Sequence, residues 1–268
     1  MGEIIFEKSY KTRPQRELNG FYKKHAHIYD SVRSPIIDSF EEKIEILKKK
    51  GRITQKARIV EIGVGTGKYL KKIVKDTRCE GIGIDISYEM LLAAQKTKSE
   101  KINYIKADAI KIPLPSNYCD LVYAVNTVHQ IADKYALFCE SFRILKEEGK
   151  IIIISPDINR LRDFLLYKVC PFLFKFEKER LPNMSELVKY GVKSGFTLLE
   201  HFLSPMNDNS IPLEDFLFCI EHRFLSCLSS LSNEKIKEVI QKIKSFSACN
   251  NITKVFPYSY ITVVFEKK

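Results

Sequence analysis

The chain has 268 residues, of which 45% are hydrophobic, and this is enough to bury one large core. That composition excludes the disordered and fibrous classes of protein. No run of about 18 apolar residues is present, so no membrane-spanning helix is predicted. The first residues, MGEIIFEKSYKTRPQRE, lack the apolar stretch of a secretory signal, and we therefore expect a cytoplasmic protein.

Charge and cysteine content narrow the possible ligands. The formal net charge is +11, but the lysines are spread over nearly every predicted helix surface instead of forming one basic block, so a nucleic-acid partner is not expected. The seven cysteines are odd in number and include no C-x-x-C pair. We expect reduced thiols and no metal site.

Strands and helices alternate along most of the chain. Apolar positions at helical spacing predict an N-terminal helix over residues 34–50. Further helices are predicted at 68–76, 87–97, 133–149 and 185–195. Strands are predicted at 57–62, 80–85, 102–107, 119–125, 150–155, 196–203 and 259–267. Several strands are almost continuously apolar, which is typical of a parallel sheet covered by helices on both faces.

The regular alternation lapses after Pro156. Residues 159–176, NRLRDFLLYKVCPFLFKF, are apolar and basic, and residues 212–246 predict two helices. Two interpretations of 163–176 remain open. The segment could be a lid over a small, partly apolar ligand, or it could pack as core against the last helices.

The stretch IVEIGVGTGKY at 59–69 predicts a strand that turns sharply into a helix around a ligand. Its glycines occupy alternate positions, at Gly63, Gly65 and Gly67. A dinucleotide fingerprint would need a glycine where the chain has Lys68. A phosphate-binding P-loop would need glycine in place of Ile62 and Ser or Thr in place of Tyr69. Both motifs are therefore excluded.

The remaining pattern, E-x-G-x-G-x-G, resembles the first motif of the class I S-adenosylmethionine-dependent methyltransferases. The resemblance implies an α/β fold with a seven-stranded, mostly parallel Rossmann-like sheet, an antiparallel last strand and helical lid insertions. It implies S-adenosyl-L-methionine as cofactor, with Glu61 near the ammonium group of the methionine moiety. The turn around that moiety would consist of Gly63, Val64, Gly65 and Gly67.

Two later segments agree with this resemblance. Asp85 ends the second strand about 20 residues after the glycines, where a carboxylate can accept hydrogen bonds from ribose hydroxyls. The resemblance places Ile86 and Met90 against the adenine ring, Asp108 at its amino group and the Ala109 backbone at a ring nitrogen. The alternatives are that Met90 is ordinary helix core and that Asp108 only forms a turn.

The segment CDLVYAVNTVHQIAD resembles the fourth strand and following loop of the small-molecule branch of the family. Asp120 would be structural, Asn126 would line the cofactor pocket, and His129 would face the transferred methyl group. His129 is the candidate catalytic base, with a non-catalytic role as the alternative. Glu140 and Arg143 are expected to pair structurally.

Upstream, FYKKHAHIYDSVRSP resembles the N-terminal helix of the ubiquinone and menaquinone C-methyltransferases, which carry a similar Y-D-x-x-R signature. The matching residues are Tyr29, Asp30 and Arg33. The resemblance implies that Tyr29 caps the methyl end of the cofactor and that Arg33 contacts the methionine carboxylate.

We predict a single methyltransferase domain over 1–268. It would comprise N-terminal helices at 1–52, a cofactor-binding core at 56–156, and substrate-side helices with the last two strands at 157–268. The expected function is methyl transfer from S-adenosylmethionine to a small, partly apolar metabolite, whose recognition we assign to 157–184 and 204–257. The acceptor atom and the oligomeric state are left open.

Three other functions compete with this prediction. An RNA methyltransferase is one, although an adenine N6 enzyme would carry N/D-P-P-Y/F where residues 126–129 read NTVH. A regulatory protein that holds the cofactor without catalysis is another. A metal-dependent catechol-type enzyme is disfavoured because no clustered carboxylates follow the fourth strand.

Overall fold

The computed structural model describes Ile5–Phe6 and residues 39–97, 99–204, 210–223, 225–229 and 231–268. The main sheet is built from short, mostly buried strands. In chain order the described strands are β1 (Ile5–Phe6), β2 (Arg58–Ile62), β3 (Glu80–Asp85), β4 (Ile102–Lys106), β5 (Cys119–Val125), β6 (Leu145–Pro156), β7 (Thr197–Leu203), β8 (Ile211–Pro212), β9 (Lys254–Val255) and β10 (Tyr260–Glu266).

Eight of these strands form one sheet, in the order β1-β4-β3-β2-β5-β6-β10-β7. The strands from β1 to β6 pair in parallel, whereas β10 is antiparallel to both β6 and β7. The predicted seven-stranded, mostly parallel sheet with an antiparallel last strand is therefore confirmed. The sheet gains β1 at its edge, and β8 and β9 form a separate pair. These strands have two residues each, too short to produce a periodic pattern.

Helices cover both faces of the sheet. In chain order the described α-helices are α1 (Phe40–Lys50), α2 (Lys68–Thr77), α3 (Tyr88–Gln95), α4 (Lys134–Ile144), α5 (Ile158–Leu161), α6 (Leu165–Val169), α7 (Pro171–Arg180), α8 (Met184–Lys193), α9 (Leu213–Glu221) and α10 (Asn233–Cys249). Side chains of α1, α2 and α3 share one buried cluster with Ile59 and Tyr123 of the sheet. Side chains of α4 and α8 share another with Val60 and Val122. No helix of the described residues is long and apolar enough to cross a bilayer.

The prediction of helix as far as Gly149 is wrong. The helix ends at Ile144, and residues from Leu145 onward are extended. Leu145 pairs with Cys119 of β5, and the Lys267 N–H donates to the Gly149 carbonyl at 2.9 Å. These tertiary hydrogen bonds override the local helix preference of the LKEE sequence.

A third buried cluster lies outside the two faces of the sheet. It joins α5, α6 and α7 to α9 and α10 across the described parts of 158–181 and 211–255, which we call the cap. Within the disputed segment 163–176, Phe164, Leu166 and Leu173 are buried in this cluster. The structure therefore places most of that segment in a core, as the second interpretation had it. Phe176, by contrast, is exposed.

Gly191 shows how tightly α8 packs on the sheet. A Cβ atom at this position would overlap the ring of Phe265 in β10. We expect Gly191→Ala to lower the free energy of unfolding by about 1 to 3 kcal/mol through overpacking, although alanine favours helix. Urea denaturation measures this. The neighbouring Val192 is exposed, so Val192→Ala is the control and should change stability by less than about 0.5 kcal/mol. An unchanged midpoint for Gly191→Ala would contradict the packing.

Candidate functional site

The three glycines form a turn at the carboxyl ends of β2 and β3, and all three have positive φ. The Gly63 N–H and the Val64 N–H both donate to the Ile84 carbonyl, at 2.7 and 3.0 Å. A Cβ on Gly63 would overlap Thr127, and a Cβ on Gly67 would lie 2.7 Å from the Tyr104 hydroxyl oxygen. Two of the glycines are therefore needed for packing within the protein.

Gly65 differs from its neighbours. Its φ is +54°, and a Cβ there would meet no described atom within 4 Å. Val64 beside it is buried. The turn thus presents bare backbone to an open space at Gly65, as expected where a ligand lies against the chain.

Asp85 holds this turn in place. Its Oδ2 accepts a hydrogen bond from the Gly65 N–H at 2.8 Å, and its Oδ1 accepts one from the Ser87 N–H at 2.9 Å. Burial raises the pKa of the carboxyl, and these backbone bonds lower it. A carboxylate has about four acceptor positions, so Asp85 can bind the turn and still accept from ribose hydroxyls.

Glu61 lies beneath the turn and is 2% exposed. Its Oε2 accepts hydrogen bonds from the Leu70 N–H and from the Tyr123 hydroxyl, both at 3.1 Å. Burial raises the pKa of Glu61 to about 8, while the two hydrogen bonds lower it. A cationic group in the adjoining space would favour the ionised form.

The residues assigned to the adenine end follow β3 and β4. Ile86 and Ala109 are half-buried, whereas Met90 is 3% exposed and lies in α3. The Asp108 Oδ1 accepts from the Ile110 N–H at 3.2 Å, and its carbonyl accepts from the Lys111 N–H at 3.0 Å. Asp108 therefore forms a turn, whatever further role it has.

The loop after β5 lies against the glycine turn. Asn126 has φ +54°, and its N–H donates to the Ile154 carbonyl at 2.8 Å. The Asn126 Oδ1 is buried, and no described group donates to it. A buried acceptor of this kind is costly unless a donor reaches it, so Asn126 is suited to bind a ligand with an N–H or O–H group.

His129 is in the 3₁₀ turn Val128–Gln130 that continues this loop. It borders a crevice between the sheet edge and the cap. The apolar and aromatic lining of the crevice consists of Pro156, Leu161, Tyr167, Leu181, Leu225 and Tyr258. Thr127, two residues before His129 in the same loop, lies against Gly63. His129 therefore lies between the glycine turn and the cap.

The remaining predictions from sequence have mixed outcomes. Tyr29, Asp30 and Arg33 lie outside the described residues. Asp120 is structural as expected: its Oδ2 accepts from the Arg58 N–H at 2.7 Å, and its Oδ1 is 2.6 Å from the Lys146 Nζ.

Glu140 and Arg143 pair at 2.9 Å, as expected. Tyr123 was missed, although the parallel register places it beside Glu61. Glu177 and Arg180 of the cap, which also border the crevice, were missed because they follow the apolar and basic segment 159–176 and the sequence around them carries no motif.

The site fits S-adenosylmethionine in three respects. Gly65 offers bare backbone, Asn126 offers an unsatisfied buried acceptor, and Glu61 offers a buried carboxylate close to the turn. When bound, this cofactor supplies an activated methyl group on a sulfonium.

Comparison with known proteins supports the same interpretation. Residues 60–153 match the family model described as a methyltransferase domain. The chain is 25% identical over 144 residues to the chloroplastic 2-methyl-6-phytyl-1,4-hydroquinone methyltransferase of Arabidopsis thaliana, a match that covers 53% of this chain and 43% of that protein. It is 23% identical over 176 residues to the ubiquinone/menaquinone biosynthesis C-methyltransferase of Francisella philomiragia, covering 60% of this chain and 70% of that protein.

The fold is also that of solved methyltransferases. Phosphoethanolamine N-methyltransferase 2 of Haemonchus contortus, solved in complex with S-adenosyl-L-methionine, superposes with a TM-score of 0.66 at 19% identity, covering 98% of this chain and 61% of that one. The chain spans less than half the length of the plant relative. The matched residues include the glycine turn, Asp85 and the loop after β5, so this part of the chain is similar to a methyltransferase domain, and the chain has the fold of the solved S-adenosylmethionine-dependent methyltransferase.

Proposed function

We propose that the protein transfers a methyl group from S-adenosylmethionine to a small, partly apolar metabolite. The observation that carries this proposal is the crevice beside His129, which has the loop after β5 and the end of β6 on one side and apolar and aromatic cap residues on the other. The glycine turn adjoins the same loop through Thr127. An acceptor in the crevice would therefore lie next to the cofactor site.

The chain's own residues would act mainly by positioning. Glu61, Asp85 and the glycine turn would hold the cofactor, and the cap would hold the acceptor and exclude water, which supplies much of the rate enhancement in such reactions. An oxygen or carbon nucleophile must also lose a proton. His129 would receive it, because no other imidazole borders the crevice among the described lining residues.

The shape of the site favours a metabolite over RNA. The crevice is closed on one side by the cap, whose helices share their own core, whereas sequence-specific RNA recognition uses bases splayed onto an accessible surface. The relatives compared above carry names that refer to a hydroquinone and to ubiquinone/menaquinone biosynthesis. These names support a small acceptor with an apolar part.

We further propose one methyltransferase domain over 1–268, with the cofactor held by 56–156, the acceptor recognised by the substrate-side part 157–268, and 1–52 as N-terminal helices. The other cofactor contacts predicted from the sequence, Tyr29 and Arg33 included, remain part of this proposal. A cytoplasmic location is supported by the cysteines, all seven of which are free thiols, as is usual in a reducing compartment.

The proposal is tested by measuring S-adenosylhomocysteine formation with a panel of small hydroxylated and acidic metabolites, and with bulk tRNA. We expect turnover with at least one metabolite and none with tRNA. Robust methylation of tRNA would overturn the proposal. Tight cofactor binding with no turnover on any acceptor would instead favour a regulatory protein.

His129→Gln separates catalysis from binding. If His129 receives the proton, kcat with the best acceptor should fall by about 10²- to 10⁴-fold, while calorimetry shows S-adenosylhomocysteine binding within about twofold of the wild type. His201→Gln is the matched control, since His201 is exposed on the edge strand β7 and should leave both values unchanged. A His129→Gln enzyme with the wild-type kcat would exclude the catalytic role.

A further inference from the structure

Two buried carboxyl groups flank the glycine turn, and their hydrogen bonds differ. Asp85 accepts one backbone N–H on each oxygen, from Gly65 on Oδ2 and from Ser87 on Oδ1. Both hydrogen bonds of Glu61 fall on Oε2, and among the described residues no group bonds to its Oε1. An ionised carboxylate accepts on both oxygens, whereas a protonated carboxyl carries a hydroxyl on one of them. The patterns indicate that Glu61, unlike Asp85, holds a proton.

The row of the sheet that contains Glu61 supplies no cation. The parallel register aligns Tyr104, Gly83, Glu61 and Tyr123 across β4, β3, β2 and β5. Gly83 has no side chain, and a Cβ there would lie 2.9 Å from Cδ1 of Tyr104. The Tyr104 hydroxyl is buried, and no described group bonds to it. Burial raises the pKa of both tyrosines, and the charge of Glu61 raises it further, so both stay neutral at physiological pH.

The charged groups nearest to the turn do not pair with Glu61 among the described residues. Lys71 Nζ in α2 donates to the Thr66 carbonyl at 3.0 Å, and Lys68 Nζ lies 4.3 Å from the centre of an aromatic ring of α1. Burial raises the pKa of Glu61, and the charge of Asp85 acts in the same direction. A buried carboxylate without a cation is costly. Without a ligand the carboxyl therefore keeps its proton.

The cofactor would introduce the missing positive charge. Its methionine moiety carries an ammonium group, which the resemblance in sequence places near Glu61. The open space over Gly65 adjoins Asp85, whose charge reaches Glu61. A nearby cation favours the ionised form of a carboxyl, most strongly where water is excluded. The O–H bond of Glu61 then breaks and its proton passes to solvent. Charge balances beside Glu61, because one positive charge enters and one leaves.

We propose that binding of S-adenosylmethionine ionises Glu61 and releases one proton to solvent, so that the affinity for the cofactor rises with pH. This inference rests on the proposed function, because it uses the same cofactor site. Below the pH at which the free protein loses this proton, linkage makes the affinity rise about tenfold for each pH unit. At a fixed cofactor concentration, occupancy of the site therefore falls on acidification.

The test is isothermal titration calorimetry of the full chain with S-adenosylhomocysteine, which carries the same ammonium group and is not turned over. Titrations at about pH 6.5 in phosphate and in imidazole, two buffers with different enthalpies of ionisation, give the number of protons released. We expect about 0.7 to 1 proton per site, and a Kd about tenfold lower at pH 7 than at pH 6. 5′-Methylthioadenosine, which lacks the ammonium group, should bind with release of less than about 0.2 proton.

Two substitutions locate the proton. Glu61→Gln should release less than about 0.2 proton, and its Kd should stay within about twofold between pH 6 and pH 7. Tyr104→Phe is the matched control, since it removes another buried titratable group of the same row and should retain the release. Thermal unfolding establishes that both variants are folded. Independently of any variant, the infrared difference spectrum of the wild type should lose a protonated-carboxyl band when the product binds.

Each outcome has a defined meaning. A release near zero from the wild type, an equal release with 5′-methylthioadenosine, or a release that survives Glu61→Gln or is abolished by Tyr104→Phe would overturn the inference. An infrared spectrum in which no protonated carboxyl is lost would also overturn it, and this decides the matter if Glu61→Gln does not fold or bind. Binding without proton release leaves the proposed function intact. Absence of binding at every pH from about 6 to 8 would contradict the proposed function itself and remove the inference with it.

Discussion

Gly65→Val should weaken S-adenosylmethionine binding by at least about 100-fold, or about 2.7 kcal/mol. The valine side chain would extend into the open space over the turn, where a Cβ meets no described atom within 4 Å. The substitution also places a β-branched residue at φ +54°, which is a strained conformation. Isothermal titration calorimetry of the cofactor and of S-adenosylhomocysteine measures the effect directly.

Gly65→Ala is the matched control, because it carries much of the same backbone strain with less volume. We expect it to lose less affinity than valine, and the difference between the two reports the space that the cofactor needs. Thermal unfolding establishes that both variants are folded. A folded valine variant with wild-type affinity would remove the glycine turn from the cofactor site.

Asp85→Ala should also weaken S-adenosylmethionine binding, by at least about tenfold. Part of this loss is expected because the substitution removes the acceptor of the Gly65 N–H.

Glu61→Gln should stabilise the fold and impair the site at the same time. Burial raises the pKa of Glu61 to about 8, compared with about 4.3 for an exposed glutamate. Between these two values the folded state binds more protons than the unfolded state, so the free energy of unfolding of the wild type falls as the pH rises from about 5 to about 8. The glutamine side chain is neutral at every pH, so the variant lacks this pH-dependent loss of stability.

At pH 8 we expect Glu61→Gln to unfold with a free energy about 1 to 3 kcal/mol higher than wild type, and at pH 5 with nearly the same one. Its cofactor affinity should nevertheless fall at least about tenfold, because no carboxylate faces the ammonium group. Urea denaturation at both pH values measures the free energy of unfolding, and calorimetry measures the cofactor affinity. Glu200→Gln, in a half-exposed pair with Lys50, is the control and should change stability by less than about 1 kcal/mol. If wild type and Glu61→Gln are equally stable at pH 8, burial does not raise the pKa of Glu61 in the folded protein.

The sequence was most informative where one segment determines its own structure. The strands Glu80–Asp85 and Cys119–Val125 have the predicted bounds, because long apolar runs between turn signals leave few alternatives. Residues 145–149 were predicted as helix and form strand, since their partners are distant in the chain. Local propensity carries no information about such partners.

The same distinction applies to the site. Glu61, Gly65 and Asp85 could be proposed for the site because the motif places them in a fixed order along the chain, and the structure brings them together around one turn. Tyr123 and Thr127 could not, since their roles arise only when adjacent strands bring them to Glu61 and Gly63. The Glu177–Arg180 pair lies within one helix, but its place beside Tyr167 depends on the packing of two cap helices, for which the sequence offered no motif.

The separate core of the cap has a consequence for how such a protein can change. Its buried side chains contact one another across 158–181 and 211–255, while the glycine turn, Asp85 and the loop after β5 belong to the sheet. Mutations that reshape the cap can therefore accumulate without passing through states that have lost the methyl donor. If the cap recognises the acceptor, as proposed, divergence toward new acceptors would proceed in the cap while selection keeps the sheet residues around the glycine turn nearly constant.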